Sequence, residues 1–321
     1  MRSIFFVLPL ILLTTANIAL SGWVFEGKWG SYGIDYGQFQ NPFALDITSN
    51  GNVYVSDTRN HRIQYFTSNG TFLGKWGSQG SGDSQFNYPM GIAIASNGNV
   101  YVADRDNNRI QYFTSTGTFI GKWGTPGTGD GQLDHPYGIA ISSNGNVYVA
   151  DTQNHRIQYF TSNGNFLGKW GSQGSDDSQF NYPRGIAIAP NGNVYVTDNN
   201  NHRIQYFTST GTFIGKWGNN GSGDAEFKNP NGIYISSNGN VYVADSGNHR
   251  IQYFTSTGTL IGKWGSYGTG DGQFDYTFDI SIGPNERAYV IDWGNSRIQY
   301  FIYVQENITP ISFGVLKALF K

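Results

Sequence analysis

The sequence predicts an all-β fold, a six-bladed β-propeller of four-stranded antiparallel blades whose last blade is closed by the N-terminal strand. Three observations lead there. Asp57, Asp104, Asp151, Asp198, Asp245 and Asp292 stand 47 residues apart, and Trp29, Trp76, Trp123, Trp170, Trp217 and Trp264 keep the same interval without an insertion. Self-similarity at a period of about 20–50 residues marks an array whose units bury apolar surface only against their neighbours. Each period also holds four short β-branched and aromatic runs punctuated by turn residues, in a chain with 44 glycines and 16% aromatic residues. Finally, the two ends of the array are complementary, so it closes on itself and needs no capping repeats.

The first element is a targeting segment, residues 1–22. Arg2 is the only charge before Glu26, Ile4 to Leu13 is apolar, and Ala19-Leu20-Ser21 offers small residues for cleavage. An uncleaved signal anchor is the alternative, because uncharged sequence runs from Ser3 to Gly22. Pro9 and the polar Thr14, Thr15 and Asn17 shorten the apolar core and favour cleavage. Either way the repeats are expected outside the membrane, secreted or at the cell surface. With no cysteine, an exported chain must draw its stability from packing and closure. Three sequons, at Asn69, Asn220 and Asn307, matter only in a host that glycosylates.

The propeller, residues 23–303, follows. In the second copy, Gly91 to Ala95 is an apolar run without polar alternation, the pattern of a strand covered on both faces. Asn97-Gly98 turns the chain through positive φ angles. Val100 to Ala103 is the second strand, ending at Asp104, and Arg105 to Asn108 is the next turn. Arg109 to Phe113 and Phe119 to Trp123 complete the blade. The chain begins with an orphan fourth strand, Val24 to Trp29, and the sixth copy stops after its third strand near Tyr303. Pairing the two removes an open edge. The tail, residues 304–321, carries an apolar stretch from Ile311 with Lys317 and Lys321, too short to span a membrane.

Charged residues are 13% of the chain and the net charge is −2, which argues against nucleic acid as a partner. The Asn60-His61-Arg62-Ile63 segment and its counterparts at Asn154, Asn201 and Asn248 resemble the Asn-His-Leu (NHL) repeat, with Arg62 where the family name has Leu. The flanking Pro-x-Gly-Ile-Ala, Asn-Val-Tyr-Val-x-Asp and Arg-Ile-Gln-Tyr-Phe motifs are similar to that family's pattern. The resemblance covers all six copies and implies the fold strongly. It implies function weakly, because NHL propellers include RNA-binding and protein-binding domains, extracellular sensors and relatives with lyase activity.

The repeated residues invite chemical readings that the repeat itself weakens. Six near-copies of this Asp turn, four of them with a His (His61, His155, His202 and His249), cannot all be active sites about one axis, so Asp57 is expected to close its turn and pair with Arg62 across the hairpin. The six tryptophans are expected to fill gaps between blades. The Gly-rich loops read as turns, since a calcium site wants six to eight oxygens and most loops carry one carboxylate; Asp176 and Asp177 hold the only pair considered for an ion. No cofactor or metal set emerges, and the histidine-rich centres of the lyase relatives have no clear counterpart.

Function is therefore sought where the copies differ. The turns after each second strand and the links between blades share one face, the top. After the recurrent proline, at the channel mouth, stand Phe43, Met90, Tyr137, Arg184, Asn231 and Phe278; before it stand Asn41, Tyr88, His135, Tyr182, Asn229 and Tyr276. Tyr88, His135, Tyr137, Tyr182 and Arg184 form the most ligand-like group, aromatic with a cation. Asp46 replaces Ala and Asp279 replaces Gly in blades that become neighbours on closure, which places two carboxylates at the mouth. The expectation is a monomeric, exported, non-catalytic scaffold whose top face recognises a protein, peptide or glycan. A metal-assisted lyase or lactonase in the channel and an RNA-binding domain are the alternatives.

Overall fold

The computed structural model describes residues 22–305, so the leader, most of the tail and the Asn307 sequon lie outside the described residues. Six four-stranded antiparallel sheets surround a central channel. Five blades run consecutively from the inner to the outer strand. In the second, these are Pro89–Ile94, Val100–Asp104, Arg109–Phe113 and Phe119–Trp123. The middle strands are buried almost completely because each is covered by the sheets on both sides. The predicted turn at Arg105 is a single 3₁₀ turn that ends with Asn108 in the left-handed conformation at φ 52°.

The sixth blade combines Thr277–Ile282, Ala288–Asp292 and Arg297–Val304 with the N-terminal strand Gly22–Trp29. This clasp pairs Gly22 with Val304 and continues to Trp29 opposite Ile298, with a bulge at Glu26. Both strands are eight residues long, where the corresponding strands of the other blades have five. Trp23 stacks on Trp264 at 5.2 Å, and Glu26 forms a two-point ion pair with Arg287. The seam between the chain's ends is thereby longer and more aromatic than any other outer pairing.

Each blade is held together by the repeated polar residues. Asp57 is fully buried and accepts hydrogen bonds from Arg62 Nε at 2.6 Å, Asn60 Nδ2, Gln64 Nε2 and the Gln40 N–H. The arginine's remaining N–H groups donate to carbonyls of the Gly-rich link, at Ile34, Asp35 and Gln38. The same ion pair occurs in all six blades. Between blades, Trp76 lies against Phe113 of the next sheet, and Tyr54 Oη donates to the Ser115 carbonyl. Asp177 pairs with Lys216 at 2.7 Å, so the loop carboxylate considered for an ion is engaged by a cation of its own protein.

Candidate binding site at the mouth of the channel

The innermost strands approach one another closely around the axis. A Cβ added to Gly138 would lie 2.1 Å from the Arg184 carbonyl, and one added to Gly91 would lie 2.3 Å from the Tyr137 carbonyl. Only glycine admits this approach, which is why the residue two after the recurrent proline is Gly in four blades. The strands enclose a cavity of about 210 Å³ whose walls come from all six blades.

Side chains from the variable position gather over the cavity. The Phe43 ring meets Tyr137 edge-on at 5.4 Å and Phe278 at 5.3 Å, and Phe278 stacks on Trp293 at 4.9 Å. The Arg184 guanidinium lies 5.3 Å from the centre of the Tyr137 ring, and its Nη1 donates to Asn231 Oδ1 at 2.8 Å. Burial pushes the Arg184 pKa down; Tyr137 opposes this, and the charge of Arg105 adds to it. Arg105 in turn lies over Tyr88 at 4.7 Å and reaches Tyr137 at 5.9 Å, while its Nε donates to Asp106. His135 Nδ1 bonds Asp134 at 2.6 Å, and its Nε2 lies 3.8 Å from Asp106. A continuous aromatic and cationic rim thus runs from Trp293 to Tyr88, flanked by two acids.

Several expected residues fall elsewhere. Met90 is only 4% exposed and is not part of the cavity wall, so it is core and not a contact surface. Asn231 is 2% exposed and acts from behind, holding Arg184 while its Nδ2 donates to Ser246. Tyr182 packs edge-on against His155, apart from the contacts that link Tyr137 and Arg184. Asp46 and Asp279 line the cavity together with Phe43, Arg184 and Phe278. Asp46 accepts the N–H of Ile47 and of Ile94 in the next blade, both at 2.8 Å. Asp279 accepts the N–H of Leu45 and Ile280. Burial pushes Asp46 up to about 6 against these donors. Burial pushes Asp279 up to about 8, with the charge of Asp46 adding to the effect.

Three features escaped the sequence reading. Arg105 and Asp106 complete the rim from a turn that is cationic at Arg105 and acidic at Asp106, where every counterpart of Arg105 is neutral and no counterpart of Asp106 is acidic. The repeated histidines act between blades: His61 Nδ1 accepts the Tyr88 N–H and His155 Nδ1 accepts the Tyr182 N–H. Tyr32, Ile34 and Tyr36 form an exposed apolar stretch, at 70%, 66% and 68%, on the first top-face link. Aligning the links would have found it, since the second copy has Gln79, Ser81 and Asp83 there.

Fold and site define a closed six-bladed repeat propeller with a ligand-sized channel under an aromatic rim. The NHL repeat model matches residues 39–66, 86–113, 133–160, 180–207 and 227–254, and the chain belongs to the NHL-repeat propeller family. Over 47 residues, 15% of this chain, it is 38% identical to the B-box type zinc finger protein ncl-1 of Caenorhabditis elegans; that stretch covers 6% of the relative's length. Solved structures with this fold include virginiamycin B lyase from Staphylococcus aureus with quinupristin, at 18% identity, TM-score 0.58, and coverage of 84% of this chain and 85% of that one. A gluconolactonase from Xanthomonas campestris aligns at 13% identity with TM-score 0.63, covering 84% of this chain and 88% of that one. A Bacteroides thetaiotaomicron protein of unknown function aligns at 14% identity with TM-score 0.65, over 85% of this chain and 74% of that one. At these identities the likeness concerns the fold alone.

Proposed function

We propose that this chain is an exported, monomeric, non-catalytic scaffold whose top face recognises a segment of protein, peptide or glycan. The rim carries the proposal. Tyr137, Arg184, Phe43 and Phe278 come from positions that differ between nearly identical copies, yet they converge into one contact network with Arg105 and Tyr88. Rings and guanidinium groups of this kind dominate the binding energy of recognition surfaces.

The lyase and lactonase neighbours keep an enzymatic reading in view, and the cavity acids are what favour it. Against it, all four carboxylate oxygens of Asp46 and Asp279 already accept backbone N–H groups. Among the described residues there is no cluster of three or more His, Cys, Asp or Glu side chains suited to a metal ion. The RNA reading meets a rim on which Arg105 is neutralised by Asp106 and His135 is flanked by Asp134.

A peptide display library and a glycan array, probed with the wild type and with Tyr88→Ala/Arg105→Ala, test the proposal. Enrichment of a sequence or glycan by the wild type that the variant loses supports it. Equal enrichment by both proteins contradicts it.

A further inference from the structure

Arg184 is set in place by a buried polar chain and yet lacks a counter-charge. Residues 67–95 and 161–189 differ at only three positions, and one of the three puts Arg184 where the twin blade carries Met90. The residues behind it are also particular to this part of the ring, since no other blade has Asn at the position of Asn199 or of Asn231. Asn231 Oδ1 accepts from Arg184 Nη1 at 2.8 Å, Asn231 Nδ2 donates to Ser246 Oγ at 2.7 Å, and Asn199 Nδ2 donates to the Pro230 carbonyl at 2.9 Å. Asn199, Asn231 and Ser246 are all buried. They fix Nη1, and Nε is enclosed without an acceptor. Nη2 is the donor left for the cavity that Arg184 lines.

Charge and surroundings decide what that donor can take. Among the described residues no carboxylate pairs with Arg184, whereas Arg105, on the same Tyr137 ring, is paired with Asp106. A desolvated charge without a partner is costly, so the seat calls for one negative charge. The neighbouring wall is apolar. Gly138 of blade 3 runs against Arg184, with an added Cβ 2.1 Å from the Arg184 carbonyl and 3.2 Å from the Ile186 nitrogen. Ile139, Ala140, Ile186 and Ala187 continue these two strands and line the same cavity. Its volume of about 210 Å³ is that of roughly seven waters at ~30 Å³ each. A sulfate or phosphate would exchange its hydration for one donor and a hydrocarbon wall; a carboxylate brings a single charge and an apolar body.

We propose that the channel cavity binds a small aliphatic monocarboxylate, its charged end on Arg184 Nη2 and its hydrocarbon body against the inner strands of blades 3 and 4. A hydrogen bond between two charged groups is about twice as strong as a neutral one, and the alkyl body adds apolar burial. Asp46 and Asp279 take no part, since they belong to blades 1 and 6 and their oxygens accept backbone N–H groups. Asp46, at about 6, is ionised at neutral pH and counts against a second negative charge in the cavity. The site stands whether or not the rim recognises a macromolecule.

The test is calorimetry at neutral pH on the full chain with sodium butyrate and its shorter and longer homologues, against butyramide and sodium sulfate. The expected result is one site per chain for the best homologue, with butyramide and sulfate at least about tenfold weaker. Arg184→Met installs the residue of blade 2, and Arg184→Gln keeps a donor for Asn231 while removing the charge. Each, checked by melting to be folded, should lose at least about tenfold in affinity. Asp46→Ala and Tyr88→Ala/Arg105→Ala should bind the carboxylate at least as well as the wild type. No binding by any homologue up to about 20 mM overturns the proposal, as does equal binding of butyramide or sulfate. Unchanged affinity in either folded Arg184 variant overturns it too, and so does an equal loss in Asp46→Ala or in Tyr88→Ala/Arg105→Ala, which would move the seat away from Arg184. Loss of rim recognition in Tyr88→Ala/Arg105→Ala is a result about the top face, read separately from carboxylate binding in the same protein.

Discussion

Replacing Asp151 by Ala should be among the most damaging single changes in the molecule. Asp151 is fully buried and accepts the Asp134 N–H at 2.7 Å, Asn154 Nδ2 at 2.9 Å, Arg156 Nε at 2.6 Å and Gln158 Nε2 at 3.0 Å. Its loss leaves the Arg156 guanidinium buried without a counter-charge, although three link carbonyls, at Thr128, Gly129 and Gln132, still hold its other N–H groups. Breaking a buried ion pair from one side costs about 3–5 kcal/mol. At about 2–4 °C per kcal/mol for a large domain, the melting temperature should fall by roughly 6–20 °C. Asp46→Ala is the matched control, because that carboxylate has no cation partner and its counterparts are Ala93, Ala140 and Ala187. Urea unfolding followed by tryptophan fluorescence reads both variants. A loss below about 1 kcal/mol for Asp151→Ala, or equal losses for the two, would refute the division into scaffold and site aspartates.

Three further outcomes are expected. Gly138→Ala must separate the inner strands of blades 3 and 4, because its Cβ would meet the Arg184 carbonyl at 2.1 Å; Gly145→Ala meets nothing within 4 Å and should cost less despite its φ of +85°, as comparative melting will show. Deleting residues 22–29 removes the clasp and exposes the edge of Arg297–Val304, so size-exclusion chromatography should show oligomers where the intact ring elutes as one species. Asp279 has a folded pKa of about 8, above its ordinary 3.8. Its contribution to stability is then fully present below the ordinary value and is lost as pH rises through about 8. Asp279→Gly should therefore gain on the wild type between pH 5 and pH 9 in paired melting curves, and a difference independent of pH would be inconsistent with a buried neutral acid.

The sequence revealed what repeats and what sits at the ends. The 47-residue spacing of Asp57 and its counterparts, and the orphan Val24 to Trp29 strand, were enough to predict six blades and their closure, because local patterning and chain economy determine both. Asp–Arg pairing across the hairpin was legible for the same reason: the partners are five residues apart. Contacts between blades were harder to see. His61 accepts from Tyr88 at a separation of 27 residues, and Asp46 from Ile94 at 48, and neither distance has a signature in one sequence. Subtracting the repeat located Tyr137, Arg184, Phe43 and Phe278, which the structure brings together. It also selected Met90, because variability records that a position is free to change without recording which way its side chain faces.

The central claim is that recognition resides in the non-repeating rim and not in the repeated Asp, His and Trp residues. The most direct measurement is the affinity of the wild type and of Tyr137→Ala/Arg184→Ala for the ligand that the library or array selects, with melting recorded for both. The double variant removes a rim ring and an unpaired buried guanidinium but none of the six ion pairs, so it should fold as the wild type does and lose at least about tenfold in affinity. Unchanged affinity in a folded double variant would contradict the account and return the search to the rest of the surface.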